Sequence, residues 1–225
     1  MPPTVTTGPV TWDEVVRVAR RATDALNEQG FNCCVFGGTA CSLWASSIRR
    51  TPGDVDIVVM TNRYDPEYIK QSLVDADDRF FTTASVDRTA TYRKLYFRLP
   101  GFASSGRRIK VDILVPPTLE IPWVSPAEII PIDGIPVMPL FPLLVLKLQG
   151  WWDHRRSNRA DFRAKESSDI EDIRGLVAEA KVERLWLSDE TEWGDDFMDM
   201  GEMLVGKFMR IEGFKRAFRN LGFNV

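Results

Sequence analysis

The stretch that decides the fold reads CVFGGTACSLW from Cys34 to Trp44 and, after a short spacer, DVDIVVM from Asp54 to Met60. The apolar residues before the glycine pair predict a short buried strand, and the glycines let the backbone turn sharply. Apolar residues then recur at helical spacing, at Ala40, Leu43 and Trp44. A strand, a glycine turn and a helix N-terminus together favour an anion, because free backbone N–H groups and the positive end of the helix dipole point the same way.

Two aspartates, Asp54 and Asp56, open the second apolar run. Residues two apart on a strand share a face, so both carboxylates are predicted to project to one side, roughly 6.5 Å apart at the backbone. Such a pair is unfavourable unless a positive charge lies between its members. A divalent ion, Mg²⁺ or Mn²⁺, is the expected partner, since hard cations take carboxylate oxygens as ligands.

The combined pattern resembles the nucleotidyltransferase superfamily, which has the polymerase-beta-like fold. Its signature is an apolar residue, Gly-Gly or Gly-Ser, a spacer of about one helix, and Asp-x-Asp on the next strand. Here Phe36-Gly37-Gly38 and Asp54-Val55-Asp56 match it, with fifteen residues between them. Within this superfamily, the motif Gly-Gly-Thr-Ala-x-x-Leu, followed by Arg50-Thr51, most resembles the abortive-infection toxin branch. The resemblance implies an α+β fold, a nucleotidyltransferase-like mixed sheet flanked by helices, followed by a helical C-terminal half.

The family also implies a third carboxylate on a later strand, for which Asp112 is the candidate. Between Arg107 and Val115 apolar residues alternate with others, as they do in a strand, and Asp112 is the one acid of that stretch. By the resemblance, Asp54 and Asp56 hold the metal ions, and Asp112 completes the site near the acceptor and takes its proton. Taken singly, a glycine pair is also a common turn, and an Asp-x-Asp is also a common solvated start of a strand.

The resemblance assigns further residues to the nucleotide. Gly37, Gly38 and Thr39 would cradle the β- and γ-phosphates through backbone N–H groups and a hydroxyl. Arg50 and Thr51 would orient the aspartates or contact a phosphate.

A later helix, predicted over Leu143 to Trp152, is apolar nearly all round and carries one charge, Lys147. A lysine there is unfavourable unless its amine reaches water or an anion. The resemblance favours contact between Lys147 and the nucleotide phosphates, and a lysine that snorkels to the surface is the alternative. Lys165 and Asp169 match a Lys-x-x-x-Asp-Ile segment of the toxin branch and are assigned to the nucleotide on that basis. Asp169 would also suit the first turn of a helix.

The most basic stretch of the chain follows His154 and contains Arg155, Arg156 and Arg159. One interpretation is a solvated loop. The other is a clamp for a triphosphate or for an RNA or protein acceptor, because arginine binds phosphate in a bidentate way.

Composition limits the remaining classes of function. The net charge of −3 excludes a generally basic nucleic-acid-binding protein, so a polyanionic partner must use a local basic patch. Three cysteines indicate reduced thiols and a cytoplasmic protein, and the single histidine argues against a histidine-rich metal site. No apolar run has the length of a membrane span, and the first residues lack the pattern of a signal peptide.

Eight of the fourteen prolines lie between Pro116 and Pro142, where the composition changes. We therefore predict a nucleotidyltransferase-like catalytic domain over 11–117, a proline-rich bridge with a hairpin over 118–142, and a helical domain over 143–225. The predicted function is metal-dependent transfer of a nucleoside monophosphate from a nucleoside triphosphate to RNA, a protein or a small molecule. Two alternatives stay open: a catalytically silent nucleotide-binding or regulatory module, and a phosphotransferase or antibiotic-modifying enzyme of similar fold.

Overall fold

The computed structural model describes residues 8–85, 89, 91–183 and 193–223. The helices are α1 (Trp12–Glu28), α2 (Gly37–Trp44), α3 (Pro66–Ala76), α4 (Phe102–Ser105), α5 (Leu140–Arg156), α6 (Ala160–Arg163), α7 (Glu166–Val182), α8 (Asp195–Glu212) and α9 (Lys215–Arg219). The strands are β1 (Cys33–Phe36), β2 (Asp54–Val59), β3 (Phe80–Ala84), β4 (Arg93–Arg98), β5 (Arg108–Leu114), β6 (Ile130–Ile132) and β7 (Ile135–Val137).

The strands of the described residues form one seven-stranded mixed sheet in the order β3-β4-β5-β2-β1-β7-β6. The central strand β2 pairs antiparallel with β1 and parallel with β5. This parallel pairing brings the two aspartate-bearing strands side by side although more than forty residues separate them in the sequence. The α+β fold with a mixed sheet, predicted above, is confirmed.

Helix α1 covers the face of the sheet opposite the aspartates. Thr11 caps it, and its apolar stripe, including Val15, Val18 and Ala22, is fully buried. The side chain of Cys33 faces this helix, with its Sγ 4.0 Å from the carbonyl oxygen of Thr23. Register places Cys33 on the same face as alternate apolar residues of β2, so the aspartates lie on the other face.

The predicted hairpin of the proline-rich segment is present as β6 and β7. Its turn residues, Asp133 and Gly134, both have positive φ, at 49° and 74°, as a two-residue hairpin loop of mirror-image type requires. Strand β7 pairs parallel with β1, so this segment extends the sheet.

The C-terminal half is helical, as predicted. Helix α5 begins at Leu140 and continues to Arg156, and is therefore longer at both ends than the predicted helix. Pro142 lies in its first turn, where a missing backbone N–H removes no helical bond. Helix α8 packs along α5 closely enough that a Cβ on Gly201 would lie 3.1 Å from Val145. Among the described residues, no helix combines the length and apolar character that a membrane span needs.

Candidate active site

Three aspartates meet on one face of the central strands. Asp56 and Asp112 are register partners on the parallel strands β2 and β5, and Asp54 lies two residues before Asp56 on the same face. One carboxylate oxygen of each lies within 4.8 Å of the others. The three predicted metal ligands are thus brought together, in an arrangement that a divalent cation could bridge.

Asp56 is the aspartate whose charge is most disfavoured. Burial raises the pKa of Asp56 to about 7, and the neighbouring carboxylates of Asp54 and Asp112 add to this rise. A carboxylate in this position is ionised readily only when a cation offsets its burial and the repulsion from its two neighbours. All three donors are hard oxygen ligands, which fits Mg²⁺ or Mn²⁺.

A lysine neutralises part of the cluster. Lys110 lies two residues before Asp112 on β5, and its Nζ is 2.5 Å from Asp112 Oδ2. Burial opposes its charge, but the bond to Asp112 and the nearby Asp54 and Asp56 hold the pKa of Lys110 above its ordinary value. Lys110 was not predicted as part of the site, although the alternation that placed Asp112 also places Lys110 on its face.

The glycine pair lies directly against two functional side chains. Gly37 opens α2 with φ of +65°, and a Cβ there would lie 2.1 Å from Asp56 Oδ2. A Cβ on Gly38 would lie 2.8 Å from Arg50 Nη2. Both positions therefore require glycine, because the N-terminus of α2 approaches Asp56 and Arg50 closely. The lack of side chains also leaves the backbone of α2 open to an anion.

Replacing Gly37 by alanine should cost more stability than the same change at Gly30. Both glycines have positive φ, which disfavours alanine by roughly 1–2 kcal/mol, but Gly30 has no atom near its missing Cβ. Gly37→Ala must in addition displace Asp56. We expect thermal unfolding to show the larger loss for Gly37→Ala, together with loss of Mg²⁺-dependent stabilisation, which Gly30→Ala should retain. Equal behaviour of the two variants would contradict this account of Gly37.

Thr39 and Arg50 hold the site together through contacts with protein groups. The Thr39 hydroxyl, fully buried, donates to the backbone carbonyl of Asp54 at 2.9 Å and so ties α2 to the start of β2. Its proton is engaged there, so a phosphate would have to compete with Asp54 for it. The Arg50 guanidinium donates from Nε and Nη2 to the two carboxylate oxygens of Asp172.

Asp172 is the centre of a buried charge network. Its side chain is fully buried and also accepts from Lys147, whose Nζ is 2.7 Å from Oδ2. Lys147 lies 3.5 Å from Asp169, and Asp169 bonds His154 Nδ1 at 2.6 Å. Burial opposes the charge on Lys147, yet these two carboxylates raise its pKa. The amine therefore does not snorkel to water.

The sequence analysis placed Lys147 and Asp169 near the nucleotide but missed Asp172. The sequence did contain an indication of Asp172, because this residue lies three positions after Asp169 and so shares its helix face. An acid at that spacing is also common on solvated helices, which is why the sequence alone gives it little weight.

The remaining predicted residues lie outside this network. Thr51 and Lys165 are exposed, and the Lys165 amine lies 5.4 Å from the centre of the Phe162 ring. Arg155 forms ion pairs with Glu166 and Glu212.

The other two arginines of the basic stretch also have partners. Arg159 pairs with Asp161 at 2.6 Å, and the guanidinium of Arg156 stacks 5.2 Å from the Trp152 ring centre. Acidic neighbours thus already neutralise part of the predicted clamp.

Comparison with known proteins gives a match over most of the chain. The family model described as nucleotidyl transferase AbiEii toxin of type IV toxin–antitoxin systems matches residues 23–189. No match is found among curated proteins. Among solved structures, an antigenic nucleotidyltransferase-like protein from Paracoccidioides brasiliensis is similar with a TM-score of 0.66, at 15% identity over 95% of each chain.

A second structure, ANT(2″)-Ia in complex with adenylyl-2″-tobramycin, aligns with a TM-score of 0.45 and 13% identity, over 86% of this chain and 98% of that one. The first of these similarities shows a nucleotidyltransferase-like fold.

Proposed function

Because this chain belongs to the family of AbiEii nucleotidyl transferase toxins, we propose that it transfers a nucleoside monophosphate from a nucleoside triphosphate to an acceptor hydroxyl. The observation that carries the proposal is the convergence of Asp54, Asp56 and Asp112, with carboxylate oxygens within 4.8 Å of one another. A module that only bound a partner would have no use for three converging carboxylates, which destabilise one another without a cation.

The carboxylates of Asp54, Asp56 and Asp112 would hold Mg²⁺ or Mn²⁺. Bound there, a divalent ion supplies Lewis-acid stabilisation of negative charge on the phosphates and lowers the pKa of the attacking hydroxyl. The donor set fits such an ion, because all three ligands are carboxylates, and burial together with the other two carboxylates raises the pKa of Asp56, so a cation there would favour its ionised form.

The protein's own groups would position the reactants. The acceptor hydroxyl oxygen forms a bond to the α-phosphorus, the bond from that phosphorus to the oxygen bridging to the β-phosphate breaks, and pyrophosphate leaves. Asp112 accepts the hydroxyl proton and releases it to solvent. The backbone of Gly37 and Gly38 at the start of α2 receives the β- and γ-phosphates, helped by the dipole of that helix.

Position of the label in the triphosphate distinguishes the competing functions. We would incubate the protein with Mg²⁺ and each nucleoside triphosphate, labelled on either the α- or the γ-phosphate, together with total RNA, protein lysate or a mixture of small hydroxyl compounds. Transfer of α-label alone, absent in Asp54→Asn, supports nucleotidyl transfer. Transfer of γ-label would show a phosphotransferase instead, and triphosphate binding without transfer to any acceptor would favour the silent module.

Lys147 is proposed to place its charge beside the triphosphate, because its buried amine offsets part of the rise in the pKa of Asp56 that burial and the two neighbouring carboxylates cause. We expect Lys147→Met to weaken Mg²⁺–triphosphate binding by about tenfold to 150-fold, the usual worth of a hydrogen bond to a charged group. Calorimetric titration measures this. Lys181→Met, on the exposed end of α7, is the matched control, and equal affinity in both variants would remove the phosphate role from Lys147.

A further inference from the structure

The single histidine of the chain, His154, lies at one end of the buried charge network. It is in the last turn of α5, about two helical turns after Lys147 and on the same face of that helix. Its side chain is only 19% exposed, and its ring packs edge to face with that of Phe162 in α6, with ring centres 5.4 Å apart. The imidazole is therefore held in one orientation by its surroundings.

His154 and Lys147 share one acceptor, the carboxylate of Asp169. Nδ1 of His154 lies 2.6 Å from Asp169 Oδ2, whereas Nζ of Lys147 lies 3.5 Å from Asp169 Oδ1. An ionised carboxylate only accepts hydrogen bonds, so Nδ1 carries a proton and donates it to Asp169. The short bond to Asp169 thus comes from the histidine, and the contact from the lysine is at the limit of hydrogen-bond distance.

This difference decides how the ammonium group of Lys147 is used. One of its three N–H donors is directed at Asp172 Oδ2, at 2.7 Å. Among the described residues, that is its one short contact with a carboxylate, because Asp169 is bonded to His154 instead. An anion can then bind the amine without first breaking a second short ion pair.

We propose that His154 is a positioning residue for the triphosphate, because it holds the carboxylate of Asp169 away from Lys147 and so keeps the amine available to a phosphate. This inference rests on the proposed function, since it concerns the lysine of that same site. Without the imidazole, Asp169 would turn to Lys147, because a buried carboxylate that has lost a partner gains most from the cation beside it. The resulting short ion pair would compete with the triphosphate for the amine.

A purely structural role for His154 predicts a different result. If the imidazole only fastened the end of α5 to α7, removing it would lower stability and leave the triphosphate affinity of the folded protein unchanged. Asparagine and glutamine distinguish the two ring nitrogens, because the amide nitrogen of asparagine lies near the position of Nδ1 and that of glutamine near Nε2. Only His154→Asn should therefore keep the bond to Asp169.

Calorimetric titration of the full chain with the Mg²⁺ complexes of ATP, GTP, CTP and UTP tests this role. For the triphosphate that binds best, His154→Ala should weaken the affinity by about twofold to 30-fold, the usual range for a residue that acts through its neighbours. His154→Asn should recover most of this loss, and His154→Gln should not. Asn158→Ala, at an exposed position just after α5, is the control and should bind like wild type.

A double variant shows whether the histidine acts through the lysine. In Lys147→Met, the further change His154→Ala should cause no additional loss of affinity, because the amine that Asp169 would capture is already absent. Additive losses would overturn the proposal, as would equal affinity in wild type and His154→Ala. Recovery in His154→Gln with none in His154→Asn, or a wild type that binds no triphosphate, would overturn it too.

Spectroscopy of the wild-type chain provides a measurement that needs no variant to fold. Because there is one histidine, two-bond ¹H–¹⁵N spectra recorded in EDTA show its ring alone. At about pH 8, where an ordinary histidine is neutral, the ring proton should be on Nδ1. A proton on Nε2 would exclude donation to Asp169 and would overturn the proposal.

The role of His154 and the proposed reaction are distinguished by their outcomes. If the variants bind triphosphate in the expected order but no label is transferred to any acceptor, His154 keeps its role and the proposed reaction is wrong. If α-label is transferred and His154→Ala binds triphosphate like wild type, nucleotidyl transfer stands and His154 is only structural.

Discussion

Asp56→Asn is expected to abolish nucleotidyl transfer while leaving the fold at least as stable as before. The side chain keeps its shape but loses the negative charge that would hold the metal ion. Metal stabilisation of transition-state charge is worth several kcal/mol, so the rate should fall about a thousandfold or more. Thermal unfolding with and without Mg²⁺ and triphosphate should show that the variant has lost ligand-dependent stabilisation.

The pH dependence of unfolding provides an independent measure of the same residue. The pKa of Asp56 is raised in the folded protein, to about 7, so its contribution to metal-free stability is present below the unfolded pKa of about 4. That contribution is lost as the pH rises through about 7, because the folded protein must then accept a disfavoured charge. In EDTA, wild type should therefore lose stability across this range relative to Asp56→Asn, and Mg²⁺ should restore it at the upper end.

Asp24→Asn, an exposed aspartate of α1, is the matched control for charge and shape. It should follow the wild type in rate, in Mg²⁺ response and in pH dependence. An Asp56→Asn protein that still transfers nucleotide at near the wild-type rate would remove the acidic cluster from the mechanism. If the free energy of unfolding in EDTA changed with pH in the same way for wild type and Asp56→Asn, the electrostatic account of Asp56 would be contradicted.

Strand periodicity predicted that Asp54 and Asp56 share a face, but the resemblance to nucleotidyltransferases was needed to add Asp112, because periodicity does not show that β2 pairs with β5. Asp54 and Asp56 had to share a face, and alternation around Asp112 put its carboxylate on one face of its strand. The same periodicity could have placed Lys110 beside Asp112. Periodicity and the resemblance together thus predicted the three carboxylates that lie on the sheet.

The part of the site that depends on packing between helices was harder to predict. Lys147 was left with two interpretations, a snorkelling lysine or a phosphate contact, and its observed ion pairs with Asp172 and Asp169 were not among them. Such pairs depend on the rotation and spacing of α5 and α7, which sequence periodicity leaves open. The stacking of Arg98 on Phe81 was also not predicted, because it requires knowing that β3 pairs with β4.

Buried charge explains why α7 lies against the segment before β2 and against α5. Asp172 connects all three, since it binds Arg50 from the segment before β2 and Lys147 from α5. Buried ion pairs contribute little net stability when intact, because desolvation offsets their attraction, but breaking one leaves an uncompensated charge. The network therefore specifies how α7 packs against α5 and the segment before β2, and keeps the charge of Lys147 near Asp56.

Asp172→Asn is accordingly expected to destabilise the protein strongly. The variant keeps the shape of the side chain but leaves Arg50 and Lys147 facing a neutral amide at a fully buried position. Removing one partner of a buried pair costs about 3–5 kcal/mol, which for a chain of this length lowers the unfolding temperature by roughly 6–20 °C. Calorimetric or circular-dichroism melts measure the shift, and Asp161→Asn, which breaks the exposed pair with Arg159, should cause little change.

A second change identifies the cause of that loss. Adding Arg50→Met to Asp172→Asn removes the cation that loses its carboxylate partner, whereas Lys147 keeps Asp169 at 3.5 Å, so the double variant should be more stable than Asp172→Asn alone. Arg50→Met by itself should be destabilising, because Asp172 then keeps only Lys147 as a partner. A double variant that loses less stability than the sum of its two single changes is what a coupled charge pair produces. A double variant as unstable as the sum of its single changes would show that Asp172 acts through packing, and that the charge network does not hold α7 in place.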